Sequence, residues 1–382
     1  MKVGLALSGG GTRAIAFHLG VLLRLAHCNV FDRITRLSTV SGGSLVAALI
    51  YTHGNAKPVW PDARTFIQST YPVLRQLLIS TDLLSLKTII RCPHLTFPFL
   101  TRRSLSVSKL LRSRWRVIGS LSELPENPYW IINTTCIETG KNWRFSRKEM
   151  GDWVFGRNYQ PSYDIADVVA ASAAIPYALG AMSFKLPNNG WFECDPSTGI
   201  PVKEKELPLD TVRLWDGGAY ENLGLEPLYK PGRGSIECDN VIVSDASGYV
   251  PSLDVKRGFR NFFGGELLMP RLFDISSDQI RSLRSRMFIE AIVNNQVKGG
   301  LIRMGKSARE IFHQSETYID EQNLLNRLNK NNTEKAWKTP THLKALSANQ
   351  FDLISRHGFE TADATLIAYC KHITFKSTSW SS

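Results

Sequence analysis

The chain has 382 residues, 43% of them hydrophobic and 21% charged, with a formal net charge of +12. That length and apolar share exclude a mainly disordered chain and leave room for one large α/β domain or two ordinary ones. The positive balance favours anionic partners, whether nucleic acid, acidic lipid surfaces or anionic substrates, and is also what simple solubility asks for.

In chain order, Val3–Leu7 is an apolar run closed by Ser8-Gly9-Gly10-Gly11, which predicts a buried parallel strand and a turn. Arg13–Ala26 is apolar nearly all round and predicts a central buried helix. Ile34–Val40 is the next strand and Gly42–Tyr51 the next helix. Strand, glycine turn, helix, repeated, is the rhythm of a parallel sheet with helices on its faces.

Residues 55–128 break that rhythm. They are helical in pattern, basic and interrupted by prolines, and predict an insertion capping one end of the sheet. Between Leu83 and Ser122 there is no acidic residue; Lys87, Arg91, Arg102, Arg103, Lys109, Arg112, Arg114 and Arg116 alternate there with Phe97, Phe99, Leu110, Leu111 and Trp115. Such a mixture suits an anionic membrane interface, and equally a helix whose apolar side is core.

The sheet resumes with strands at Tyr129–Ile137 and Asn142–Ser146, a small-residue helix at Ile165–Ala174, and strands at Thr211–Trp215 and Asn240–Ser244. Helices are predicted at Asp278–Gln296 and Gln350–Tyr369, a strand at Leu301–Met304, and a loop at Asn329–Thr333. The segment Lys256–Arg271 is a second basic and apolar stretch suited to a lipid surface. Residues 1–300 are expected to form the main domain and 301–382 a mostly helical extension packed on it. The start of the chain does not read as a signal peptide, and Val168–Met182 is too short to span a bilayer, so a cytoplasmic protein with peripheral membrane contact is expected. Six isolated cysteines fit reduced thiols and show no zinc-type spacing.

Three pieces carry chemistry. Thr39-Val40-Ser41-Gly42-Gly43 lies between a strand and a helix, where a nucleophile elbow belongs, although threonine replaces the first glycine of G-x-S-x-G. Ser41 could instead be a helix N-cap. The amides of Gly9, Gly10 and Gly11 at a helix start can hold an oxyanion, or a phosphate; GGGTRA, however, matches neither the dinucleotide fingerprint nor a Walker loop. Asp216, before Gly217-Gly218 at a strand end, can serve as a base or form an Asx turn. Of the eight histidines, His357 is the best placed in chain order for a Ser-His-Asp triad, with His313 a further candidate.

The ordered set LALSGGGTRA, STVSGGSLVAA, ASAAIP (Ala171–Pro176) and LWDGGAYENLG (Leu214–Gly224) resembles patatin-like phospholipases over roughly residues 1–250. The resemblance implies an α/β fold, a three-layer α/β/α sandwich with a mainly parallel central sheet and a helical insertion. It implies a lipid acyl hydrolase with a Ser41–Asp216 dyad, an oxyanion hole at Gly9, Gly10 and Gly11, and Arg13 on the substrate phosphate. No metal or cofactor is expected. The expected partner is an anionic phospholipid surface rather than a nucleic acid polymer. Two alternatives stay open: a Ser-His-Asp esterase acting on soluble esters, and a nucleotide-activated, membrane-degrading antiphage effector of the same family.

Overall fold

The computed structural model describes residues 1–53, 56–83, 103–176, 178–195, 199–207, 209–248, 269–374 and 376–380. Five parallel strands form the centre of one sheet, in the order β14 (Lys298–Arg303), β13 (Asn240–Asp245), β1 (Val3–Leu7), β2 (Ile34–Val40), β3 (Tyr129–Cys136). Side chains of successive residues on β1 leave on opposite faces, as pleating demands. Leu5 and Leu7 join one apolar cluster with α1 (Gly11–His27) and α2 (Gly42–Thr52), while Ala6 joins another with Val241, Val243 and Phe288. Phe288 comes from α6 (Met269–Val293), so helices cover both faces and three layers result.

The centre is parallel, as the apolar runs predict, but the sheet continues past β3 as an antiparallel wing. That wing comprises β4 (Asn142–Phe145), β5 (Glu149–Asp152), β6 (Gly156–Tyr159), β8 (Trp191–Cys194) and β9 (Pro201–Glu204). A further pair, β7 (Met182–Lys185) and β10 (Thr211–Asp216), joins through β10 to β3.

Two pieces of the insertion are described. Helix α3 (Tyr71–Ser80) ties down through an Arg75–Asp352 ion pair at 2.6 Å. Helix α4 (Arg103–Arg114) turns Val107, Leu110 and Leu111 into the core, and Trp115 follows them. Those apolar groups are therefore unavailable to a bilayer, and Arg112 is held by Asp164 and by Asp167 of α5 (Ile165–Ser172). Lys87, Arg91, Phe97, Phe99 and Arg102, and the 256–268 part of the second basic stretch, lie outside the described residues.

The C-terminal third shares the same core. A boundary at residue 300 would cut β14, and α9 (Ala348–Tyr369) lies directly on α1. At their crossing a side chain on Gly20 would meet the Ser355 carbonyl and one on Gly358 the Phe17 carbonyl, each within 2.1 Å, so only glycine permits this approach. Asp363 of α9 is fully buried between Arg24 and Arg327, at 2.6 Å from each. Among the shorter helices that precede it are α7 (Ala308–Gln314) and α8 (Lys330–Trp337). The second overturns the loop expected at 329–333: the Asn329 side chain accepts the Asn332 N–H at 2.9 Å and starts a helix as an N-cap. Among the described residues no helix is long and apolar enough to cross a membrane.

Candidate active site

Strand β3 is what brings the distant pieces together. Its first half pairs with β2 as far as Val40 opposite Asn133. Its next residue, Thr134, pairs with Asp216 of the antiparallel β10. Strand β4 occupies the other edge of β3, so β2 and β10 meet tip to tip on one edge. Ser41 leaves β2 where Asp216 ends β10.

Ser41 turns the chain sharply at φ 49° and ψ −113°, a region costly for a non-glycine residue, and it is 5% exposed. It stands at the N-cap position of α2, yet its side chain caps nothing. Its hydroxyl instead lies close enough to the Asp216 carboxylate to lower that group's pKa. Desolvation is the larger effect and raises it; the Gly218 N–H, donating to Asp216 Oδ1 at 2.7 Å, opposes it. The balance leaves the carboxyl pushed up to about 7. A carboxylate at that level is a competent base near neutrality, which an ordinary aspartate is not.

The elbow rests on a chain of hydroxyls with one possible polarity. Trp130 Nε1 donates to Thr39 Oγ1 at 2.9 Å, and Thr39 contacts Ser44 at 2.8 Å. Ser44 in turn contacts Ser172 at 2.8 Å, and Ser172 donates to the Asn133 carbonyl at 2.8 Å. An indole can only donate and a carbonyl only accept, so every proton between them points toward Asn133. Ser172 also accepts the Ser41 backbone N–H at 3.0 Å and so fixes the elbow directly. Threonine at position 39 is thus built into the support rather than crowding it. Ser172→Ala, which removes that acceptor, is expected to lower kcat by about ten- to a hundredfold at nearly constant KM, measured on a soluble ester. An unchanged kcat would show that the elbow needs no such support.

The glycine loop closes the third side. A Cβ on Gly9 would sit 3.1 Å from Ser41 Cβ and 2.3 Å from Asn222 Oδ1, so the backbone passes the serine at a distance no side chain allows. The expected set of three oxyanion donors is corrected at one position. The Gly9 N–H donates to the Asn222 carbonyl at 3.1 Å and is taken up. The Gly10 and Gly11 amides, at the start of α1, have no acceptor among the described residues. Both lie in the left-handed region, at φ 144° and 63°.

Arg13 also departs from expectation. It is 2% exposed, and its two terminal nitrogens donate to the carbonyls of Thr339 at 2.6 Å and Ala246 at 3.3 Å. Burial lowers its pKa to about 10 against the pull of Asp245. Arg13 is therefore a buried tether, not a group reaching for substrate phosphate. Beside it the His342 carbonyl accepts both the N–H and the hydroxyl of Thr12, at 2.9 and 3.1 Å.

His357 is not the third member of a triad. Its Nε2 bonds the Met304 carbonyl, its Nδ1 the Thr361 hydroxyl, and burial pushes its pKa down to about 4. Sequence reasoning missed Ser172, Asn222 and the carbonyls of Thr339 and His342. Ser172 lies in ASAAIP and Asn222 in AYENLG, so both stood inside quoted motifs, but nothing local says which backbone group each one meets.

The patatin-like phospholipase family model matches residues 5–229, from β1 through the elbow and the Asp216 turn. Among solved structures the chain is similar to human GIVD cytosolic phospholipase A2, with a TM-score of 0.54 at 14% identity over 97% of this chain and 60% of that one. A structure of that human protein in complex with methyl gamma-linolenyl fluorophosphonate gives 0.50 at 15% identity, over 98% and 60%. This chain thus spans under two thirds of those structures, and at such identity the likeness is one of fold. A search of curated proteins gives no match. With the family's span covering well over half its length and enclosing both Ser41 and Asp216, this chain belongs to the patatin-like phospholipase family.

Proposed function

We propose that the chain is a lipid acyl hydrolase that cleaves carboxylic esters of membrane phospholipids. Ser41 is the nucleophile, Asp216 the base, and the Gly10 and Gly11 amides the oxyanion donors. The observation that carries this reading is the tip-to-tip meeting of β2 and β10, which sets the Ser41 hydroxyl against a buried carboxyl poised at about 7.

Asp216 takes the Ser41 proton as the hydroxyl oxygen attacks the acyl carbonyl. Negative charge collects on the carbonyl oxygen, where fixed amides stabilise it; such a donor is typically worth about 3 kcal/mol of barrier. The intermediate collapses, the bond to the alcohol breaks, and Asp216 returns the proton to the departing oxygen. Asp216 then deprotonates a water that attacks the acyl-enzyme, releasing the fatty acid and restoring Ser41. The net positive charge fits an anionic bilayer surface as the partner that presents substrate.

An activated serine is alkylphosphonylated by fluorophosphonates, whereas a helix-cap serine is inert. Incubation with such a probe, followed by peptide mass spectrometry, is expected to find the adduct on Ser41. Mass spectrometry of treated phosphatidylglycerol vesicles is expected to find free fatty acid with lysophospholipid. An unlabelled Ser41 in folded protein would overturn the assignment.

A further inference from the structure

With Arg13 buried against carbonyls, a phosphorylated substrate needs another cation. One cluster beside the Asp216 turn holds a surplus. Arg144 of β4 stands directly opposite Asn133, whose carbonyl abuts Gly217. Its Nη2 lies 3.3 Å from Glu226 Oε1, and Arg284 of α6 reaches the other oxygen of the same carboxylate at 3.6 Å. Helix α6 touches the turn itself, through Ser277 Oγ donating to the Gly218 carbonyl at 3.4 Å. Lys230, on the short strand β11 (Tyr229–Lys230), makes no ion pair among the described residues.

Arg144 and Arg284 thus share the Glu226 carboxylate, which Lys230 feels without pairing to it, while Glu149 also acts on Arg144 and the buried Glu221 on Arg284. Neither Arg–Glu distance is that of a close, charge-assisted fork, and Arg144 Nε is buried with no acceptor among the described residues. Nearby Arg157 is already matched to Glu149 at 2.8 Å and does not add to the surplus. The cluster remains open to solvent, with the Arg144 side chain 24% and that of Arg284 28% exposed. Burial, with Arg144 next, lowers the Lys230 pKa, as expected of an ammonium facing other cations. Tyr220, four residues beyond Asp216, lies in the same field.

We propose that Arg144, Lys230 and Arg284 form a phosphate-binding subsite beside the Asp216 turn, taking either the phosphodiester of a lipid headgroup or a free phosphate ion. Guanidinium groups offer paired donors to phosphate oxygens and the ammonium a point charge, so one oxyanion meets the unmatched N–H groups and the excess charge together. The headgroup arm rests on the hydrolase reading; the free-phosphate arm does not.

The test uses the whole chain with inorganic phosphate as the probe. Calorimetric titration at low salt is expected to show binding that Lys230→Gln and Arg284→Gln each weaken about tenfold, as loss of one charge-assisted bond implies, and that Lys230→Arg largely restores. In parallel, kcat/KM on phosphatidylglycerol relative to diacylglycerol in the same vesicles is expected to fall about tenfold in Lys230→Gln. A shift in the ratio alone assigns the headgroup, and a shift in phosphate binding alone assigns a free ion. If both measurements are the same in wild type and both Gln variants, the subsite is wrong. If wild type hydrolyses neither ester, the hydrolase reading fails and the calorimetry still decides the subsite.

Discussion

Ser41→Ala is expected to lower turnover by about 10⁴-fold or more and to leave a folded protein, because it removes the only hydroxyl among the described residues set against the Asp216 carboxyl while keeping the backbone around it. The N–H of residue 41 still reaches Ser172, so the elbow persists. Alanine keeps the strained φ of 49°, so no strain is relieved. What is lost is roughly one hydrogen bond, about 1 kcal/mol, which in a chain of this size moves Tm by less than about 3 °C. Fatty-acid release by mass spectrometry and scanning calorimetry on one preparation check both halves. Turnover above about 1% of wild type would exclude Ser41 as nucleophile.

Asp216→Asn is expected to cost about 10³- to 10⁴-fold in kcat. Asparagine can still accept the Gly218 N–H through its oxygen, so the turn is retained, but its amide cannot take a proton from Ser41. His357→Ala serves as the contrast: it costs stability, through lost bonds to Met304 and Thr361, and spares kcat. The reverse ranking would favour a histidine base. The same carboxyl sets the pH response. With its pKa raised to about 7, the basic form grows as pH rises, so wild-type kcat climbs about tenfold per pH unit below that value and levels above it. Stability runs the other way. Between the ordinary value of 3.8 and about 7 the folded state keeps a proton that the unfolded chain has lost, so this group's contribution to stability falls as pH rises through that window. Asp216→Asn removes that slope, and melting curves across the window test it. His18 and His357, both lowered to about 4 by burial, are neutral throughout the rise in kcat and add no second step.

The parallel centre was legible because strands such as β1 and β13 are short, largely apolar runs ended by a glycine or polar turn, and because buried helices such as α1 are apolar nearly all round. Ser41 and Asp216 were legible because an elbow and a strand-end turn each demand small residues at fixed offsets. Beyond β4, expected at Asn142–Ser146, the antiparallel wing was not. Strands such as Glu149–Asp152 and Pro201–Glu204 are four residues long and carry little apolar periodicity, and their stability comes from neighbours rather than from their own pattern. The fate of individual donors was equally hidden. Gly9 and Gly10 look alike in sequence, and only the placement of Asn222, over two hundred residues on, separates a used amide from one without an acceptor among the described residues. Arg13 reads as a cation near a glycine loop until Thr339 and Ala246 surround it.

The tether from Arg13 and Thr12 to Thr339 and His342 has a consequence for the order in which the candidate site is completed in a newly made chain. During synthesis the serine emerges from the ribosome first, the aspartate near the middle, and the two carbonyls that orient the first helix only after residue 339. A polypeptide made just past Asp216 has the proposed nucleophile and base but lacks the carbonyls that hold its glycine loop. If Ser41 acts as proposed, an ordered oxyanion loop is thereby deferred until the residues around 339–342 have been made.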